Sequence, residues 1–320
     1  MKRRLGVVLV VFAVIVAAAW GYTNWQYVKD QYVVYRTPLQ AESLSLLPKL
    51  GLTDKGQFLF KASQPEVLNA FKFNTACSSV SREQSIVLGC YTRQRFYIYN
   101  VTDERLAGVK EVTAAHELLH AVYERLSSKE KNTLDQQLRT AAASIQDERF
   151  NATLEQYKRT EPGQVENELH SILGTEIAVL PEPLESHYRT YFKDRAKIVG
   201  YAKQYAETFQ AVEQKIEAYD SQLQSLATQK DQLESQLSER QQSIEREKAK
   251  LDQLKNGNQV DEYNQTVPLY NQLVRSFNAD VARLKQIVED YNDIVAKRNA
   301  LTATQNELVK ELDSTYQQIL

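Results

Sequence analysis

Cysteine is nearly absent, with two in 320 residues. That excludes a disulfide-stapled scaffold and a Cys-rich zinc module. An excess of either charge is missing too. Lys and Arg total 39 against 41 Asp and Glu, for a net charge of −2, and without a basic face no nucleic-acid partner is expected. There is no GxSxG elbow, no Gly-rich phosphate loop and no CxxC pair. After Gly200 even glycine and proline almost vanish: Gly257 and Pro268 stand alone in a stretch without Cys or Trp that holds 18 Gln. Such a stretch is not an ordinary globular domain. What remains is a folding composition, 42% hydrophobic and 25% charged, on a chain long enough for about two domains.

The N-terminus reads as a membrane signal. Lys2, Arg3 and Arg4 precede an apolar run from Leu5 to Trp20, followed by Tyr22, Trp25 and Tyr27. A retained anchor needs about 17–25 apolar residues and favours Trp and Tyr at the interface. A cleaved signal peptide is the alternative, with Ala17–Ala19 as its small-residue site. Either way the positive charges stay inside, so the expectation is a single-pass membrane protein lying outside the cytoplasm, or a secreted one. An oxidising compartment would join Cys77 to Cys90; two small buried thiols are the other reading.

Three parts follow: an anchor or signal over 1–25, a domain over 26–190 and a coiled coil over 191–320. In the middle part, Phe58–Phe60 is a candidate strand, and Pro65 to Phe73 reads as helix with Pro65 near its first turn. Ile86 to Thr92 and Phe96 to Val101 read as a hairpin. Helices are expected over 106–126, 129–146, 148–159 and 164–177, with Pro181 and Pro183 closing the region. Strands followed by helices make the expected class α+β. Beyond Tyr188 the spacing turns to threes and fours. One series runs from Phe209 through Leu223, Leu233 and Leu251 to Leu254. A second runs from Tyr263 through Val274, Leu284 and Val288 to Ile319. Asn256-Gly257-Asn258 breaks them, so one antiparallel coiled-coil hairpin is expected, with a kink or late helix start at Pro268. Its seam carries Lys230, Arg240 and Glu247 in the distal half.

The chemistry-bearing residues are His116-Glu117-Leu118-Leu119-His120. Two His four apart leave the same face of a helix and can close on one metal ion, while the adjacent carboxylate reaches a water on that ion. This is the HExxH pattern of zinc metallopeptidases. No charge except Glu117 interrupts residues 112–122, as expected of a helix buried through a domain.

A catalytic zinc needs a third protein ligand. The metzincin pattern fails, since Tyr123 and Leu126 stand where its Gly and last His belong. Downstream, Asn167-Glu168-Leu169-His170-Ser171 resembles the NExxS helix of gluzincin-type metallopeptidases of the zincin superfamily. The resemblance implies a zincin-like domain, a Zn2+ cofactor and Glu168 as third ligand beside His116 and His120. Periodicity puts Glu168 on one face with Val165 and Ile172, an odd place for an unpaired carboxylate. Glu166, Glu176 and His170 are the rival ligands. Ile172 stands where the family often has an Asp that supports a metal-ligand His, leaving Glu176 as a substitute. The resemblance covers only these two helices. It implies that Glu117 acts as general base and that Phe96–Val101, preceding the metal helix, offers the edge strand for an extended peptide. Tyr123, Tyr157, His170, His187 and Tyr188 are unranked oxyanion donors. Asn100, Asn151 and Asn264 head Asn-x-Thr sites that matter only in a glycosylating pathway.

Two functions are expected from these features. One is a membrane-anchored, extracytoplasmic zinc endopeptidase acting on a peptide or protein, with the hairpin docking a protein partner. The other is a cell-envelope coiled-coil adaptor with a zinc-binding but peptidase-inactive domain.

Overall fold

Thr53 and Asn69 decide the first departures from these expectations. The structure is a computed structural model that describes residue 12, residues 14–16, 18–78 and 86–316. Thr53 accepts a hydrogen bond from the Gly56 amide and so caps a helix. Phe58–Phe60 therefore lies inside that helix and not in a strand. Asn69 accepts from the Lys72 amide and starts the next helix only at Ala70, leaving Glu66–Leu68 extended.

In chain order the described elements are α1 (Trp25–Arg36), α2 (Ala41–Leu50), α3 (Asp54–Ala62), β1 (Glu66–Leu68), α4 (Ala70–Ala76), β2 (Gly89–Thr92) and β3 (Arg95–Tyr99). Then come α5 (Val109–Glu124), α6 (Ser128–Ala143), α7 (Glu148–Thr160), α8 (Val165–Glu176), α9 (Glu182–Arg189), α10 (Arg195–Asn256) and α11 (Val260–Leu312). The class expectation of an α+β, zincin-like domain behind a transmembrane helix is thereby overturned. The chain is 78% helical, and among the described residues the strands are three short ones. Too few extended residues are present for a sheet to form a layer of its own. The single-pass localisation is corrected as well: among the described residues no helix is long and apolar enough to cross a membrane. Residues 1–11, 13 and 17, which carry the basic cluster and much of the expected run, lie outside the described residues.

The chain divides into two compact units, residues 1–208 with 308–320, and residues 209–307. In the first, the core joins Leu50, Phe60, Phe96, Leu118, Leu119, Leu138, Leu173 and Tyr188. Each large side chain removed from water this way contributes on the order of 1.5–3 kcal/mol. The three strands order as β1-β3-β2, parallel between β1 and β3 and antiparallel between β3 and β2. Phe96 and Ile98 point inward from β3 toward the helices. Cys77 and Cys90 are joined, with Cα atoms 6.0 Å apart, and the bond packs with Phe73, Val87 and Tyr97.

In the second unit, Leu226, Leu233 and Leu237 of α10 pack against Phe277, Val281, Leu284 and Ile287 of α11. Arg240 pairs with Asp280 at 3.0 Å and Arg298 with Asp220 at 2.5 Å. The earlier residue on α10, Asp220, meets the later one on α11, Arg298, and the later Arg240 meets the earlier Asp280, so the helices run antiparallel. The seam departs from the heptad reading in α11, where Ile287 is buried while Val288 and Tyr291 are 40% and 37% exposed. Arg240, expected at a seam position, reaches a carboxylate on the partner helix instead. The turn falls at residues 257–259, and α11 starts eight residues before Pro268, so the expected late start at the proline is not found.

Candidate metal centre

His116, His120 and Glu168 come together because α5 and α8 pack closely. Gly174 makes that approach possible: a Cβ there would stand 2.4 Å from Leu119 Cδ1 and 2.7 Å from the Tyr188 ring. His120 Nε2 lies 3.5 Å from Glu168 Oε1, and His116 Nε2 lies 3.6 Å from Glu168 Oε2. The three ligand atoms all fall within 4.8 Å of one another, so the group could hold a metal ion. A tetrahedral ion about 2.1 Å from each of two ligands needs them about 3.4 Å apart, close to both spacings. The donor set of two imidazoles and one carboxylate is that of a catalytic zinc site.

The expected support from Glu176 is not what the fold provides. His120 Nδ1 lies 3.0 Å from Asn167 Oδ1 and 3.3 Å from Ser171 Oγ. Asn167 Nδ2 is committed to Gln164 at 3.1 Å. Its oxygen therefore accepts, Nδ1 carries the proton, and Nε2 keeps its lone pair for a metal. Both residues belong to the quoted motif, one before and three after Glu168, yet the sequence reading gave neither a role. Their signal was positional: residues flanking a ligand on the same helix share its face.

The rival ligands stand elsewhere. Glu166 pairs with Arg139 at 2.5 Å. Glu176 lines the same cleft but is outside the ligand group. His170 is buried, with its Nε2 2.9 Å from His187 Nε2, and burial holds both imidazoles below their usual range, His187 at about 4.

Two carboxylates at the centre differ in charge preference. Burial opposes the charge on Glu168, but His120 and His116 beside it, with a hydrogen bond from Tyr157, bring its pKa down to about 2. Burial pushes Glu117 up to about 8, partly offset by His120. Glu117 is 4% exposed and its Oε2 is buried with no hydrogen-bond partner among the described residues. A buried polar atom left unpaired is costly unless a ligand completes it. The Oε2 of Glu117 thus fits a site built to receive a metal and its water.

No protein-family model matches the chain, and no curated protein or solved structure does either. The likeness to gluzincins accordingly rests on the two short motifs alone.

A cleft of about 950 Å³ opens over the cluster, walled by residues 86–93 on one side and by Tyr157, Asn167 and Glu168 on the other. The expected substrate strand is corrected here. β3 is the central strand of the sheet, and the edge strand beside the metal helix, unpaired on its outer side among the described residues, is β2. Gly89 of β2 lies directly over Glu117, since a Cβ on it would meet Glu117 Oε1 at 2.4 Å and Thr113 Cγ2 at 2.7 Å.

The geometry also ranks the hydroxyl candidates. Tyr123 gives its hydroxyl to Asp135 at 2.8 Å, and Tyr188 gives its own to the His170 carbonyl at 2.7 Å. Neither His170 nor His187 lines the cleft. Tyr157 does, and its hydroxyl reaches a ligand carboxylate.

Proposed function

We propose that the chain is a zinc-dependent endopeptidase that holds an extended peptide along the outer edge of β2. The observation that carries this reading is Glu117, a buried carboxylate with an unpaired oxygen, next in sequence to one metal-type ligand and three residues from another. His116, His120 and Glu168 would hold the ion. Zinc, when bound, supplies Lewis acidity toward a carbonyl oxygen and acidifies a water.

The chain's own residues supply the rest. The outer edge of β2, unpaired among the described residues, offers amide and carbonyl groups to a substrate backbone, which fixes the peptide extended across α5. Glu117 accepts a proton from water as the water oxygen bonds to the scissile carbonyl carbon. The same carboxyl returns that proton to the amide nitrogen as the C–N bond breaks. Tyr157, whose hydroxyl donates to Glu168, orients that carboxylate. Asn167 and Ser171 hold His120 in the tautomer that leaves Nε2 unprotonated.

A second reading, an adaptor whose helix pair binds a protein partner, is favoured by Val260 and Leu269 of α11, which are 60% and 46% exposed. Cleavage of a disordered protein by the full chain separates the two. Wild type should cut it, a chelator should stop the cutting, and Glu117→Gln should lose at least about 10²-fold in turnover. Equal cleavage by wild type and Glu117→Gln would refute the assignment.

A further inference from the structure

The turn between β2 and β3 uses the wrong residues for its shape. Arg93 and Gln94 are its two central residues, with φ of 51° and 62°. Positive φ at both positions is the hairpin turn that normally takes Asn-Gly, and side-chain-bearing residues persist there only when their surroundings hold them. The holding comes from α1. Gln94 Nε2 donates to Gln26 Oε1 at 3.0 Å, and Lys29 Nζ donates to Gln94 Oε1 at 2.5 Å.

A second attachment lies one turn further along α1. Asp30 is 4% exposed and accepts from Arg125 Nε at 2.8 Å and Nη2 at 3.0 Å. Arg125 follows the last residue of α5. Its Nη1 donates to the Ala121 carbonyl at 2.9 Å and to the Tyr91 hydroxyl at 3.2 Å, and Tyr91 donates to Glu124. The guanidinium thus ties α1, the end of α5 and the middle of β2 together through one planar fork. A lysine ammonium could not span these partners. None of the partners is a metal-type ligand, so the network fixes where β2 lies without touching the cluster.

We propose that Asp30 and Arg125 are positioning residues that hold β2 against the metal helix, making α1 a strap that sets the width of the substrate cleft. This rests on the reading of β2 as the substrate strand. Asp30→Asn keeps the shape but removes the charge that Arg125 needs. Tyr91→Phe removes only the hydroxyl. Arg93→Asn with Gln94→Gly supplies the residues the turn favours and should make the strap less necessary.

The test compares these variants in the full chain by hydrogen exchange, zinc titration and peptide-cleavage kinetics. For Asp30→Asn and for Tyr91→Phe we expect roughly tenfold faster exchange at residues 89–92, the scale of one lost hydrogen bond to a charged group. Exchange at 113–120 and zinc affinity should stay within twofold. KM should rise roughly tenfold with kcat changed by less than about threefold, and the Asn-Gly turn should recover most of the loss. Exchange at 89–92 unchanged in both variants would overturn the proposal. So would an equal rise in both segments, which is general destabilisation. If wild type cleaves no peptide, the peptidase reading fails, and the exchange pattern alone still decides the positioning role.

Discussion

Gly89→Ala probes the closest contact in the centre. An added Cβ would sit 2.4 Å from Glu117 Oε1 and 2.7 Å from Thr113 Cγ2. Restoring an ordinary contact of about 3.4 Å requires Glu117, β2 or both to move by about 1 Å. Both neighbours are side-chain ends, so the stability cost stays near the lower part of the usual range for overpacking, about 1–3 kcal/mol. For a unit of this size that lowers the melting temperature by only a few degrees. The chemical cost is larger, because the group displaced is the proposed base and the strand displaced is the proposed substrate edge. A misplacement of about 1 Å at a reacting group costs roughly 10²-fold in rate. Zinc affinity should remain within a few-fold, since the atoms nearest an added Cβ belong to Glu117 and Thr113 and not to the three ligands. Melting by circular dichroism, zinc titration and cleavage kinetics on one preparation check all three terms. Turnover within about threefold of wild type in a folded Gly89→Ala protein would refute the placement of Glu117 under β2.

Three further outcomes follow from the geometry. Asn167→Ala removes the acceptor on His120 Nδ1 and should weaken zinc binding about 10–100-fold with little change in melting temperature, read by competition with a chelator of known affinity. Ser171→Ala, whose hydroxyl is the more distant partner at 3.3 Å, should weaken it less. Replacing Cys77 and Cys90 by Ser opens a loop with a sequence separation of 13 and should cost about 3 kcal/mol; a denaturation midpoint unchanged by the double replacement would contradict that.

How much of this was legible in the sequence varied with the range of the interactions. His116, Glu117 and His120 were readable because one helical turn fixes their spacing. Glu168 was reachable only through the resemblance of residues 167–171 to a known ligand helix; nothing local to α5 points 48 residues downstream. The roles of Asn167 and Ser171 depend on which nitrogen of His120 faces α8, a tertiary fact. Phe58–Phe60 was mistaken for a strand because three apolar residues carry no period. Glu66–Leu68 was mistaken for helix because Pro65 mimics a first-turn proline, while the capping side chain is Asn69. β3 was taken as the substrate edge because it precedes the metal helix in sequence. Strand order is set by pairing across the chain, and β1 occupies the far side of β3. The long helices α10 and α11 were visible from spacing alone, yet the burial of Ile287 over Val288 shows that a 3-4 series fixes the helix better than the residue at its seam.

Zinc titration of the full chain, with Glu168→Ala, Glu166→Ala and Glu176→Ala alongside, tests the central claim most directly. The geometry predicts one equivalent of zinc for wild type, for Glu166→Ala and for Glu176→Ala, and loss of tight binding for Glu168→Ala. Full zinc affinity in Glu168→Ala, or its loss in either of the other two, would contradict the centre described here.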